Sequence, residues 1–78
     1  MKLVVTSMYR EDKFGSVCGS SGIVVFYKDT KVIHVEKYSG KCTSKYVRDI
    51  GDFRFDHVIS TPTEVGGVFE VEIIKEHN

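Results

Sequence analysis

Apolar and polar side chains alternate along much of the chain. In residues 52–60, Phe53, Phe55, His57 and Ile59 fall on one side, and Arg54, Asp56 and Val58 on the other. Residues 67–75 alternate in the same way, with Phe69, Val71 and Ile73 against Glu70 and Glu72. A period of two marks a strand with one buried face. Residues 2–9 (KLVVTSMY) and 31–38 (KVIHVEKY) also read as strands. Residues 22–28 (GIVVFYK) are apolar nearly throughout, as in a strand that meets something on both faces.

Asp29-Thr30 predicts a two-residue turn joining residues 22–28 to 31–38. With Lys28 opposite Lys31, Phe26 faces Ile33 and Val24 faces Val35, which makes one face wholly apolar. The second face then carries Ile23, Val25, Tyr27, Val32, His34, Glu36 and Tyr38. After a turn at 39–42, Thr43 or Ser44 caps a short helix through Tyr46, Val47 and Ile50, with Gly51 as its stop. Residues 61–66 hold the only proline and form a loop. The expected core is Phe26, Ile33, Val35, Phe55, Phe69, Val71 and Ile73. The expected fold is mainly β (α+β), with about five antiparallel strands and one short helix between strands 3 and 4. That order is found in five-stranded OB barrels, and an open sheet accommodates it as well.

Seventy-eight residues make a single small domain, residues 1–78. A chain of this length buries only about 60% of its unfolded surface, so oligomerisation, a ligand or a disulfide would add to a modest stability. Eleven basic and eleven acidic residues cancel, which argues against a general polyanion binder. The distribution is uneven. Residues 1–45 hold eight Lys/Arg against four Asp/Glu, a balance of +4, and residues 46–78 hold three against seven, a balance of −4. The apolar run at residues 3–5 is too short for a signal-peptide core, and no run approaches membrane-spanning length. Two cysteines, Cys18 and Cys42, make no secreted disulfide framework, so the expectation is a cytoplasmic protein with reduced thiols.

The stretch GSVCGSSGIVV, residues 15–25, raises the question of a phosphate loop. Such loops work by aiming backbone N–H groups from a helix N-terminus, but these glycines feed a strand and lack the P-loop spacing. They read as an inter-strand connection. Cys18 lacks an assured base, and the cysteines lack the close spacing of structural zinc sites. His34 and His57 suggest an acid/base pair only if the fold brings them together, while His77 lies in the tail. A small Cys- or His-dependent enzyme is therefore the third reading, and no metal or cofactor is expected.

The strongest local signal is basic and aromatic. Lys28, Lys31, Lys37, Lys41, Lys45 and Arg48 are interleaved with Tyr27, Tyr38 and Tyr46, against only Asp29 and Glu36. Cations neutralise phosphates and rings stack on bases, so the pattern suits a nucleotide or single strand. Tyrosine is equally favoured at protein interfaces, and the acidic second half repels a long polyanion. The sequence reading is a non-enzymatic module that binds another protein, as an inhibitor or adaptor. Its expected contact site is Tyr27, His34 and Tyr38, rimmed by Lys31, Lys37, Lys41 and Lys45. An OB-like domain binding nucleic acid or a nucleotide through the same face is the alternative. The apolar residues of the mixed face also suggest a homodimer.

Overall fold

The computed structural model describes residues 1–75, and His77 lies outside them. They form seven strands and no helix. In chain order these are β1 (Lys2–Glu11), β2 (Val17–Cys18), β3 (Ser20–Lys28), β4 (Lys31–Gly40), β5 (Tyr46–Asp49), β6 (His57–Pro62) and β7 (Val68–Ile74). All pairings are antiparallel. The domain is mainly β, and its sheets do not close into a barrel. Among the described residues no helix is long and apolar enough to cross a membrane.

β1 is the hub of the first sheet. β7 pairs along it from Lys2 to Tyr9, β5 pairs with Lys2–Val5 on the opposite edge, and β2 pairs with Arg10 and Glu11. The second sheet has β3 at its centre, flanked by β4 and β6. The core lies between the sheets. Leu3, Val5 and Met8 enter from β1, Val24 and Phe26 from β3, Tyr38 from β4 and Phe69 from β7. Phe53 and Phe55 lie on the irregular approach to β6 and pack edge-on against Phe26, with ring centroids at 5.0 and 5.1 Å. Edge-to-face pairs of this kind add about 0.5–1.5 kcal/mol beyond the area they bury.

Two bulges set which side chains enter. In β1 the register slips between Val5 and Ser7, and the Thr6 hydroxyl donates to the Glu70 carbonyl at 3.1 Å. Met8 rather than Ser7 thereby follows Leu3 and Val5 into the core. In the β3–β4 hairpin the turn is where the sequence predicts it, with Lys28 opposite Lys31. The register then slips between Phe26 and Tyr27, so Phe26 faces His34, Val24 faces Glu36 and Gly22 faces Tyr38. A one-residue slip turns every later side chain to the other face. Ile33 and Val35, expected in the core, are therefore 43% and 39% exposed on the outer face. Phe26 and Phe69 are buried, and Phe55, Val71 and Ile73 are partly buried against the core.

The expected helix over 43–50 is corrected to strand β5. A two-turn helix is marginal in water. β1 offers an unpaired edge, and Tyr46–Asp49 satisfy it by pairing with Val5–Lys2. The glycine-rich stretch is also more ordered than a loop. Its residues supply β2 and the buried start of β3, where Ser20 is 4% exposed.

Two positions give stability predictions. A Cβ on Gly22 would stand 2.4 Å from the Phe69 ring, so the ring lies directly on the β3 backbone. Gly22→Ala is expected to cost about 1–3 kcal/mol by overpacking, read as a fall in the denaturant midpoint. An unchanged midpoint would show that the ring does not sit there. Asp29 and Thr30 both have positive φ, 52° and 66°. That is the backbone of a type I′ hairpin turn, in which a β-branched residue is strained. Thr30→Gly is expected to raise stability by about 0.5–1 kcal/mol, the strain relief exceeding glycine's entropy cost. A lower melting temperature would contradict this.

Candidate functional site

The chain leaves the second sheet at the end of β4 and reaches β1 through residues 41–45. Cys42 anchors that crossing as an isolated bridge to Met8, with backbone bonds of 2.9 and 2.8 Å in the two directions. β5 then begins at Tyr46. Between the end of β4, this crossing and β5 lies an open groove of about 590 Å³. Its floor includes Val5 and Met8, and its walls carry Tyr38, Tyr46, Ser39, Thr43 and Ser44. Lys37, Lys41, Lys45 and Arg48 line it as well. Among the described residues none of the three lysines forms an ion pair. The groove therefore holds a concentrated positive field in a chain of zero net charge.

Arg48 is tied to the inner face of β4. Its Nε lies 3.8 Å from one oxygen of Glu36, whose other oxygen is 3.2 Å from His34 Nε2. The guanidinium sits 5.7 Å from the centre of the Tyr38 ring. Tyr38 is 7% exposed and packs beside Phe69 and Tyr46, at 6.2 and 6.4 Å between centroids. Burial and the nearby Glu36 charge push its phenol up to about 12, with Arg48 acting in the opposite sense. The inward carboxylate thus has one cation of the groove within ion-pair distance.

The sequence-predicted site is divided by the β4 bulge. Tyr38, Lys37, Lys41 and Lys45 line the groove. Tyr27 does not share their surface, because it lies on the outer face of β3 beside His57, 5.9 Å away. His34 points inward, 4.8 Å from the Phe53 ring. Lys31 sits at the hairpin end, opposite Lys28. The expectation that Tyr27, His34 and Tyr38 share one face is corrected by the register slip. Arg48 and Tyr46 were visible as members of the basic, aromatic stretch. The helix expectation separated them from β4, whereas the strand brings them to it.

The thiols belong to different places. Cys18 is free and donates to the Arg10 carbonyl at 3.4 Å. Cys42 is free and donates to the carbonyls of Val5, at 3.5 Å, and Ser44. Among the described residues no group of three or more His, Cys, Asp or Glu side chains is placed to hold a metal ion. No protein-family model matches the chain, and neither does a curated protein or a solved structure.

The raised Tyr38 phenol gives a pH prediction with a definite sign. An unfolded tyrosine loses its proton near 10, while the folded Tyr38 keeps it to about 12. Its contribution to stability is complete below pH 10 and is lost as pH rises from 10 to 12. Urea midpoints measured across that range are expected to fall less steeply in Tyr38→Phe than in the native chain. Equal slopes would place the ring in water.

Proposed function

We propose that the protein is a non-enzymatic binding module that takes an acidic segment of a partner protein into the groove between β4 and β5. The observation that carries this reading is the set of three lysines with no ion pair among the described residues, beside Arg48, around one concave surface. Carboxylates of a partner would replace the missing counter-charges. Arg48 suits bidentate contact, and the lysines act as point charges at the rim. Tyr46 is 52% exposed and supplies an aromatic anchor of the kind that dominates interface energies. The hydroxyls of Ser39, Thr43 and Ser44 add polar contacts within the same walls.

A protein partner is favoured over a long nucleic acid by the extent of the basic surface. The groove gathers Lys37, Lys41, Lys45 and Arg48, and Asp49 ends β5 with Asp52 soon after it. A polyanion that needs a continuous basic track would meet these carboxylates. A nucleotide or a short single strand in the same groove is the second reading, supported by the exposed Tyr46 ring as a stacking surface.

Fluorescence anisotropy with two probes, an Asp/Glu-rich peptide and a single-stranded oligonucleotide, tests the proposal. The peptide is expected to bind, and the double variant Lys41→Glu, Lys45→Glu to weaken it at least about tenfold, mainly through slower association. Tyr46→Ala is expected to weaken it through faster dissociation. Tyr38 is unsuitable for this test, since its ring belongs to the core. Binding of the oligonucleotide alone, with a salt dependence that becomes shallower in the lysine variant, would favour the second reading. Binding of neither probe, or binding indifferent to these changes, would overturn the assignment of the groove.

A further inference from the structure

β5 forms one wall of the groove and is also an end strand of its sheet. Among the described residues it pairs with β1 and with no other strand. An antiparallel pair alternates between residues that exchange backbone hydrogen bonds and residues whose N–H and C=O point away. The Ile50 N–H donates to the Met1 carbonyl at 3.1 Å, one step beyond the Lys2–Asp49 pair. Alternation from that bond assigns the ladder bonds to Arg48 and Tyr46, opposite Leu3 and Val5. The N–H and C=O of Val47 and Asp49 therefore lie on the far edge, where no described strand pairs with them. All four residues of β5 are exposed, and no bulge interrupts the pairing with β1. From these placements we infer that the groove takes its acidic segment as an added strand, paired backbone to backbone with the free edge of β5. The inference rests on the groove binding an acidic segment, and it specifies the form of that segment: extended, with acidic side chains at every second position.

The pattern follows from alternation and charge. Successive residues of a strand point to opposite faces. Tyr46 and Arg48 lie opposite Val5 and Leu3, which enter the core, so both point to the groove side of the sheet. Val47 and Asp49 point to the other side. A strand laid beside β5 keeps this alternation. Every second side chain of it enters the groove, where Lys37, Lys41, Lys45 and Arg48 gather. The side chains between them run beside Val47, which is 53% exposed. Carboxylates suit the first set and β-branched side chains the second. The four residues of β5 span about 13 Å, which matches a segment of about four to five residues.

The edges of the two sheets differ. The pairing of β4 with β3 slips at a bulge, a device that blunts an exposed strand, whereas β5 runs without one. Lysine beside an open edge ordinarily keeps strands apart. At β5 it discriminates between them. Lys45 stands immediately before the strand, with Lys41 further up the crossing, so a basic strand is repelled and an acidic one drawn in. In strand addition the backbone bonds supply affinity, and the alternate side chains supply specificity.

Fluorescence anisotropy with a labelled peptide that alternates Glu and Val tests this, together with a series in which one amide at a time is N-methylated. The parent peptide is expected to bind. N-methylation is expected to weaken it at least about fivefold at every second amide, and to leave it unchanged at the amides between. A peptide of the same composition with Glu and Val in separate blocks is expected to bind more weakly than the parent. Val47→Pro is expected to weaken the parent peptide by a similar factor, because it removes an outward N–H and spares the bonds to β1. An unchanged far-UV spectrum checks that this variant folds, and the N-methyl series requires no change to the protein. Parent binding that is indifferent to N-methylation at every position, or tighter binding of the block peptide, would overturn the added strand while leaving the groove as an acidic-segment site. Failure of both peptides to bind would overturn the two together. A dimer of the protein alone that Val47→Pro abolishes would assign the edge to a second copy and overturn the inference.

Discussion

The extra residue that β4 carries opposite the Phe26–Tyr27 step decides which half of that strand is inside. Without the slip, Lys37 would be aimed at Gly22, where the Phe69 ring lies on the β3 backbone. An ammonium buried there without a partner costs several kcal/mol. With the slip, Tyr38 takes the place and its ring fills the space between Gly22, Phe69 and Tyr46. The slip also turns Ile33 and Val35 outward and brings His34 and Glu36 inward. The fold accepts two polar groups near its core in exchange for one well-packed junction between its sheets.

The inward polar groups are reconciled by β5. Glu36 lies between His34 and Arg48, and the guanidinium of the arginine sits over the Tyr38 ring. Arg48 reaches this position because β5 pairs with the first residues of β1. A paired carboxylate at the seam is costly to unpair, so β5 and β4 are coupled through it. The same seam leaves the sheets open on that side, and the opening is the basic groove. Its charge is therefore a consequence of how the sheets are joined as much as of local composition.

β4 serves two surfaces at once. Its C-terminal end borders the groove, while its N-terminal half contributes Val32, Ile33 and Val35 to the outer face. The groove is polar and charged, and the outer face is aliphatic with tyrosine and histidine at one end. Surfaces so different in chemistry suit different partners.

The pattern of apolar positions was enough to identify β1, β3, β4 and β7, the turn at Asp29-Thr30, and the burial of Phe26 and Phe69: β7 alternates with the period of two of a half-buried strand, and β3 is a continuous apolar run. The basic, tyrosine-rich character of residues 37–48 was equally plain, since charge and ring content are properties of composition. Only the tertiary structure decided the faces of β4, because a bulge reflects the fit of Tyr38 and Phe69 around Gly22, residues distant in the chain. It likewise decided that residues 46–49 form a strand, since the free edge of β1 that recruits them lies more than forty residues away in sequence. Tyr27 and His34 left the candidate site, and Arg48 and Tyr46 entered it, for the same reason. Local patterning specifies which residues alternate, but long-range packing selects the register that turns each alternation inward or outward.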